Sequence, residues 1–128
     1  MTQKDRDLLL KDLCARLPYG VKCYIEFDDG KIFKERTLTP IMIQDFKRTS
    51  TSFIPYLRPM SSMIEEEKEE IKPLFSKFTD EFGKRVLVVR QNKMALYQDW
   101  LNRNHFYYRG LIPMGLAIEV TEENNPYK

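Results

Sequence analysis

The 128-residue sequence has few of the residues from which metal, nucleotide and nucleophile sites are built. It contains one histidine, two cysteines and five scattered glycines. Cys14 and Cys23 have no second cysteine pair or nearby histidine, so the sequence does not predict a tetrahedral zinc site. The glycines form neither nucleotide-binding fingerprint, and no nucleophile elbow is present. We therefore assign no catalytic, cofactor-binding or metal-ligating residue and expect no cofactor.

Long hydrophobic runs are also missing. The longest runs are short, such as residues 86–89, and lie far below the roughly 20 apolar residues that cross a bilayer. The N-terminal residues MTQKDRD lack an apolar signal core. Two cysteines form no disulfide framework and are expected to be buried thiols in a reducing cytoplasm. We therefore expect a cytoplasmic protein that makes no membrane contact.

Apolar residues are nonetheless sufficient for a folded core. Hydrophobic residues make up 42% of the chain, with eight Phe, seven Tyr and one Trp. A chain of this length usually forms one domain. We predict a single domain over residues 1–120, followed by a polar C-terminal tail, residues 121–128, that is frayed.

The N-terminal segment predicts a helix over residues 5–17. Thr2 and Asp5 have the spacing of a capping box, and Asp12 and Arg16 lie off the apolar face. That face is an apolar stripe at helical spacing: Leu9, Leu10, Leu13, Cys14 and Leu17.

Strand signals follow the helix. Residues 21–27 alternate between apolar and polar side chains, which predicts a strand with one inward face. Asp29 and Gly30 suit a two-residue hairpin loop, after which residues 31–38 return as a second strand. Residues 41–46 are predicted to form a strand and residues 47–52 an exposed loop. Residues 53–57 are predicted to form a further strand, which Pro55 limits to an edge or a strand end.

The C-terminal half adds helices and one more strand. Ser62 and Glu65 have capping-box spacing, and Pro73 predicts a kink or break in the helical stripe that runs on to Phe82. Residues 86–89 predict a buried strand. Residues 93–102 predict a helix whose inner side carries Met94, Leu96, Tyr97, Trp100 and Leu101. The predicted fold class is α+β: a small single domain with a mainly antiparallel sheet of three to five strands and about three helices.

The net charge of +2 is unevenly distributed. Residues 30–60 carry six basic and two acidic side chains, and residues 84–109 carry six basic and one acidic side chain. Between them, residues 61–83 carry three basic and seven acidic side chains. The last segment also contains Trp100 and Tyr107, and mixtures of basic and aromatic residues bind phosphates and stack bases. One alternative function is therefore a nucleic-acid-binding accessory factor that uses residues 30–60 and 84–109, with these candidate contacts: Lys84, Arg85, Arg90, Lys93 and Arg103.

The single histidine, His105, is expected to be a structural residue whose ring bonds a backbone group. Together with Arg58 and Arg109 it also forms a candidate interaction site, because guanidinium groups at turns can reach carboxylates or carbonyls. A weaker alternative is a small enzyme or an enzyme inhibitor with its site around these three side chains.

Five stretches resemble a family of small uncharacterised proteins carried by prophages and mobile elements of Bacteroides-type gut bacteria. They are LCARLPYGVKC at 13–23, YLRPMSSM at 56–63, DWLN at 99–102, HFYYRGLI at 105–112 and GLAIE at 115–119. The resemblance implies a bacterial or phage cytoplasmic protein and no particular activity. Our leading hypothesis is a non-enzymatic protein-interaction module with an unknown protein partner; the sequence does not predict the oligomeric state.

Overall fold

The computed structural model describes residues 2–48 and 51–127. Within these residues the chain forms four α-helices and six strands, joined by short 3-10 turns. The helices are α1 (Gln3–Arg16), α2 (Pro40–Arg48), α3 (Glu65–Ile71) and α4 (Met94–Arg103). The strands are β1 (Lys22–Glu26), β2 (Ile32–Thr37), β3 (Ser52–Leu57), β4 (Phe75–Thr79), β5 (Arg85–Val89) and β6 (Ile118–Glu119).

The strands form two separate sheets. The larger has the order β2-β1-β3-β6, with β1 antiparallel to β2 and β3, and β6 parallel to β3. The smaller is the antiparallel hairpin β4–β5. The predicted α+β class and the mainly antiparallel sheet are therefore confirmed.

The main core lies on one face of the larger sheet. Cys23 and Ile25 of β1 stand opposite Pro55 and Phe53 of β3, so these side chains share a face. The leucines of α1 and the apolar side chains of α2 cover this face. The buried cluster comprises Leu9, Leu13, Val21, Cys23, Ile25, Leu38, Ile43, Phe46, Phe53, Leu57, Leu111, Leu116 and Ala117.

Helix α1 begins as predicted but buries different side chains. The Asp5 amide donates to Thr2 Oγ1 at 3.1 Å and the Thr2 amide donates to Asp5 Oδ2 at 3.2 Å, which completes the capping box. Cys14, expected to be a buried thiol, is exposed, whereas Asp12 and Arg16, placed off the apolar face, are fully buried. The prediction was wrong here because a distant C-terminal segment covers the polar side of the helix.

The strand predicted at residues 41–46 is wrong, because this segment lies in α2. Pro40 occupies the first turn, where its missing N–H is tolerated, and the Ile43 amide donates to the Thr39 carbonyl. Ile43 and Phe46 are both buried and lie three residues apart, a helical spacing. In the loop predicted at 47–52, Lys47 lies in this helix and Thr51 is buried, while residues 49 and 50 lie outside the described residues.

The predicted break at Pro73 is confirmed. Helix α3 ends at Ile71, a 3-10 turn over Lys72–Leu74 contains the proline, and Phe75 begins β4. The capping box predicted between Ser62 and Glu65 does not form, because the helix begins at Glu65. At its start, the Ile64 amide donates to Glu67 Oε1 at 3.1 Å. The segment after the proline, expected to be helical up to Phe82, forms β4 and a turn.

A second, smaller core joins α3 and α4. Its buried members are Ile71, Trp100, Leu101 and Phe106. Residues 93–102 are confirmed as helical, but Met94 and Leu96 are exposed and do not face this core. No helix in the described part of the chain is both long enough and apolar enough to cross a bilayer.

The first hairpin loop and the C-terminal tail also differ from the sequence-based prediction. The loop of the first hairpin has three residues, because the Phe27 amide donates to the Lys31 carbonyl and the Gly30 amide to the Phe27 carbonyl. At the C-terminus, Tyr127 is anchored where a frayed tail was expected. Its hydroxyl donates to the Tyr56 carbonyl at 2.7 Å and accepts from the Lys22 amide at 3.0 Å.

Candidate functional site

Two arginines converge on one buried carboxylate. Asp12 Oδ2 accepts from Arg16 Nε at 2.8 Å, and Asp12 Oδ1 accepts from Arg109 Nη1 at 3.0 Å. Arg16 Nη2 also donates to the Phe106 carbonyl at 2.6 Å. Both guanidinium groups lie over the Tyr108 ring, 5.4 Å and 4.5 Å from its centroid. Because both carboxylate oxygens are occupied, this network ties α1 to the C-terminal segment and leaves Arg109 committed to the fold.

Arg58 is committed in the same way. Its Nη1 and Nη2 donate to the two carboxylate oxygens of Glu67 at 2.8 Å and 2.7 Å, a paired geometry that fits the planar guanidinium. The same group lies 4.0 Å from the centroid of the Phe106 ring. The hydrogen bonds from Arg58 hold the pKa of Glu67 below its usual value. Arg58 therefore fastens the end of β3 to α3.

His105 lies between these two clusters. Its backbone has a positive φ of 64°, and its ring stacks on Tyr127 with centroids 3.8 Å apart and an interplanar angle of 6°. The predicted bond from the ring to a backbone group is not found at Nδ1, which is buried and has no hydrogen-bond partner among the described residues. Burial, followed by the positive charges of Arg16 and Arg58, lowers the pKa of His105 to about 4. The ring is therefore neutral at pH 7.

Two of the three predicted site residues line one polar cavity of about 640 Å³. Arg58 and His105 line it together with Arg103, Thr121 and Glu122, whereas Arg109 does not. With a pKa of about 4, the histidine is a weak general base at neutral pH, and Arg58 is held by its carboxylate. Of the predicted site residues in this cavity, neither His105 nor Arg58 is therefore a ready general base or acid at neutral pH.

The five candidate nucleic-acid contacts do not share one surface element. Arg103 is the last residue of α4, with its guanidinium 5.8 Å from the centroid of the Tyr19 ring. This helix has ten residues and is therefore about 15 Å long, which separates Arg103 from Lys93. Trp100 is buried and stacked on Phe106, so it cannot stack on a base. The other three cations belong to the β4–β5 hairpin or its base: Lys84, Arg85 and Arg90.

The described cations of the basic segment 30–60 lie on elements other than the hairpin. Its cations on β2 are exposed on the edge strand of the larger sheet, and one, Arg36, lies 4.0 Å from the centroid of the Phe33 ring. Arg58, at the other end of the segment, is held by Glu67. Arg58 shares the polar cavity with Arg103 of the second basic segment, whereas the cations of β2 lie at the edge of the larger sheet.

The β4–β5 hairpin carries the largest exposed apolar side chains near α3 and α4. Phe82 in its turn is 85% exposed, Leu87 63% and Phe78 51%, and Val88 is also exposed. The strand predicted at residues 86–89 is confirmed, but its predicted burial is wrong. Sequence reasoning missed this surface because an apolar β-branched run is normally a sign of burial.

An open groove of about 840 Å³ lies at the base of the hairpin. Its apolar lining comes from the second core and from the hairpin itself: Met60, Met63, Ile71, Phe75, Leu87 and Tyr97. Its polar rim consists mainly of cations: Lys68, Lys72, Lys77 and Arg90, with Glu69. We call the hairpin and this groove together the hairpin surface. Phe78 lies with Val86 on one face of the hairpin, and Leu87, which lines the groove, lies on the other face.

In the described ranges 2–48 and 51–127, no three His, Cys, Asp or Glu side chains are grouped to hold an ion. Comparison of the chain with protein-family models, curated proteins and solved structures gave no match. The function is therefore argued from the geometry.

Proposed function

We propose that this protein is a non-enzymatic protein-interaction module that binds a partner chain through the hairpin surface. The observation that carries the proposal is the exposure of Phe78, Phe82 and Leu87 on one two-stranded hairpin. Exposed apolar side chains of this size, which this hairpin carries on both of its faces, are typical of interaction sites. A two-stranded hairpin is also only marginally stable in water unless something packs against it.

The setting is part of the same proposal. The resemblance of residues 13–23, 56–63 and 99–119 to prophage and mobile-element proteins supports a bacterial cytoplasmic protein. In that setting the exposed thiol of Cys14 remains reduced.

The experiment compares capture by three immobilised proteins in a nuclease-treated lysate of a Bacteroides-type bacterium. The test variant carries Phe78→Ser and Phe82→Ser, which removes the two tip rings without touching a buried residue. The control is Ile41→Ser, because Ile41 is 74% exposed on α2, away from the hairpin. We expect proteins captured by the wild type and by the control to be lost from the double variant. Capture that is unchanged in the double variant, or that is found only in a parallel lysate without nuclease treatment, contradicts the proposal.

A second candidate is the nucleic-acid-binding alternative, which one observation favours. Exposed Phe78 and Phe82 lie on the same hairpin as Lys77, Lys84 and Arg85, and exposed rings beside cations can stack on bases. Because the cations do not converge, we expect only non-specific affinity for mixed oligonucleotides, about 10⁻⁴–10⁻⁶ M at physiological salt. Submicromolar binding that falls steeply with salt and is lost in a folded Arg85→Ala, Arg90→Ala variant would reverse this ranking.

A further inference from the structure

Residues 121–127 form part of the wall of the polar cavity, and we call this segment the strap. The rest of the wall includes Arg58, which follows β3, and His105, which follows α4. The residues of the strap that line the cavity are Thr121, Glu122, Asn125 and Tyr127. A movement of the strap therefore changes the access of solvent to both predicted site residues.

The strap is attached to the rest of the protein at its two ends. At its start, the Val120 amide donates to the Leu57 carbonyl at 2.8 Å, beside the pairing of β6 with β3. At its other end, Tyr127 holds it through two bonds of the hydroxyl and the stack of the ring. Within the described part of the chain, the hydrogen bonds of residues 121–126 reach only residues 119–127. Release of Tyr127 is therefore the step that frees the strap.

The Tyr127 hydroxyl lies at the next rung of the ladder between β1 and β3. The pairing of these strands ends at Cys23 and Pro55. The next opposed residues are Lys22 and Tyr56. The hydroxyl accepts from the Lys22 amide at 3.0 Å and donates to the Tyr56 carbonyl at 2.7 Å, so it bridges the two strands at this rung.

The two bridged backbone groups are ladder partners of each other. On the side of β2, the Val21 carbonyl accepts from the Leu38 amide at 2.9 Å. Successive residues of a strand direct their backbone groups to opposite neighbours, so Lys22 directs its amide to β3. When the hydroxyl leaves, this amide can donate directly to the Tyr56 carbonyl. Withdrawal of the hydroxyl therefore leaves neither backbone group without a partner.

The stack on His105 is accompanied by an unfavourable burial. Nδ1 of this ring is buried and has no hydrogen-bond partner among the described residues. Buried polar atoms of this kind are rare, because they have lost water without gaining a partner. Withdrawal of the Tyr127 ring, which lies 3.8 Å from the histidine ring, lets water reach His105. This hydration offsets part of the stacking that is lost.

We propose that the strap opens and closes the polar cavity and has two arrangements. In the closed one, Tyr127 bridges β1 and β3 and covers His105. In the open one, Lys22 bonds Tyr56 directly, the ladder gains a rung, and His105 is exposed on the cavity wall. Because the backbone groups are paired in both arrangements, the open one is a minor population of roughly 0.1–10%. The polar cavity and the groove of the hairpin surface share no lining residue, so this inference does not rest on the proposed function.

The first experiment measures access to the single histidine of the chain. Diethyl pyrocarbonate modifies exposed imidazole groups, and mass spectrometry follows the modification of His105 at pH 7. The variant Tyr127→Phe loses the hydroxyl and keeps the ring, and the control Tyr24→Phe makes the same change on β1, outside the cavity. We expect modification to be about 10-fold faster in Tyr127→Phe, because two hydrogen bonds of the closed arrangement are lost, and unchanged in the control. An unchanged rate in Tyr127→Phe, or an equal rise in the control, overturns the inference.

The second experiment tests the new rung in the same variant. Hydrogen exchange of the Lys22 amide is followed by NMR in the wild type and in Tyr127→Phe. We expect this amide to stay protected in the variant, because it bonds the Tyr56 carbonyl once the hydroxyl is absent. A hydroxyl that only caps the end of β1 would leave the amide open to water. Exchange as fast as in an unstructured peptide therefore refutes the open arrangement.

The third experiment removes the other contact of the strap with His105→Gly. Glycine fits the positive φ of 64° at this position after α4, so we expect the circular dichroism spectrum to be unchanged. A glutamate-specific protease then reports release of the strap by cleavage at Glu122 and Glu123, with Glu81 in the hairpin turn as the internal reference. We expect cleavage in the strap to be about 10-fold faster than in the wild type, as for a lost stack of partly buried rings. Cleavage at the wild-type rate overturns the inference.

Discussion

The most direct test of the buried charge network is to remove the charge of Asp12 and keep its shape. In Asp12→Asn one carboxylate oxygen becomes an NH2 group. Because the two oxygens of Asp12 accept from Arg16 at 2.8 Å and from Arg109 at 3.0 Å, the amide can serve only one of these guanidinium groups. The other then faces a second donor, and a buried positive charge remains without compensation.

The expected cost follows from burial. The side chains of Asp12 and Arg16 are fully buried, and breaking a buried ion pair by removing one partner costs about 3–5 kcal/mol. A domain of this kind has a free energy of unfolding of about 5–15 kcal/mol. The variant is therefore expected to lose between about a fifth and all of its stability. The triple variant Asp12→Leu, Arg16→Met, Arg109→Met, which removes all three charges of the network, should lose less than Asp12→Asn alone, because no charge is left beside an apolar group.

Urea unfolding followed by circular dichroism measures these differences. Asp7→Asn is the matched control, because Asp7 is an exposed residue of the same helix whose carboxylate accepts only from Gln3 at 2.9 Å. We expect this control to stay within about 0.5 kcal/mol of the wild type. If Asp12→Asn unfolds within about 1 kcal/mol of the wild type, as a surface change does, the assignment of Asp12 as the buried centre of the network is refuted.

Three further outcomes are expected. Burial lowers the pKa of His105 to about 4, while the unfolded side chain titrates near 6.5, so the unfolded chain binds more protons between these values and the protein loses stability as the pH is lowered. For a partly exposed ring we expect the free energy of unfolding to fall by about 1 kcal/mol from pH 7 to pH 5, and we expect no such loss in His105→Gln. Burial raises the pKa of Cys23 to about 12 and Cys14 is exposed, so a thiol reagent should modify one thiol in the native protein and two in denaturant. Tyr127→Phe should lower the free energy of unfolding by about 1–3 kcal/mol in urea titrations, because the Tyr127 hydroxyl bonds two backbone groups, and an unchanged value would contradict the anchored C-terminus.

The features that sequence analysis predicted correctly depend on near neighbours. The capping box of Thr2 and Asp5 spans three residues, and the break at Pro73 follows from the missing N–H of one residue. The alternation over residues 21–27 predicts the buried face of β1, because side chains of a strand alternate between its two faces. Each of these signals is complete within one element, so the rest of the fold does not alter it.

The features that were missed depend on distant segments. Asp12 and Arg16 have the appearance of a solvated ion pair at helical spacing, and they become buried because Phe106 and Arg109 pack over them from about 90 residues away. The six-residue run at 41–46 is too short for its period to distinguish a strand from a helix. Of the predicted site residues, Arg58 and His105 are brought to one cavity, but only the structure shows that a carboxylate already holds the arginine.

The disagreement at β5 has a different cause. Residues 86–89 have the composition of a buried strand, yet the structure leaves Leu87 and Val88 exposed. A conflict between local composition and surroundings is costly in a single chain and is removed when a partner covers the strand. Arg85 and Arg90 flank the run, and charges at the ends of an exposed strand oppose the unlimited edge-to-edge pairing that such a strand otherwise permits. The interaction function proposed for the hairpin surface therefore accounts both for the exposed apolar run of β5 and for the charges at its ends.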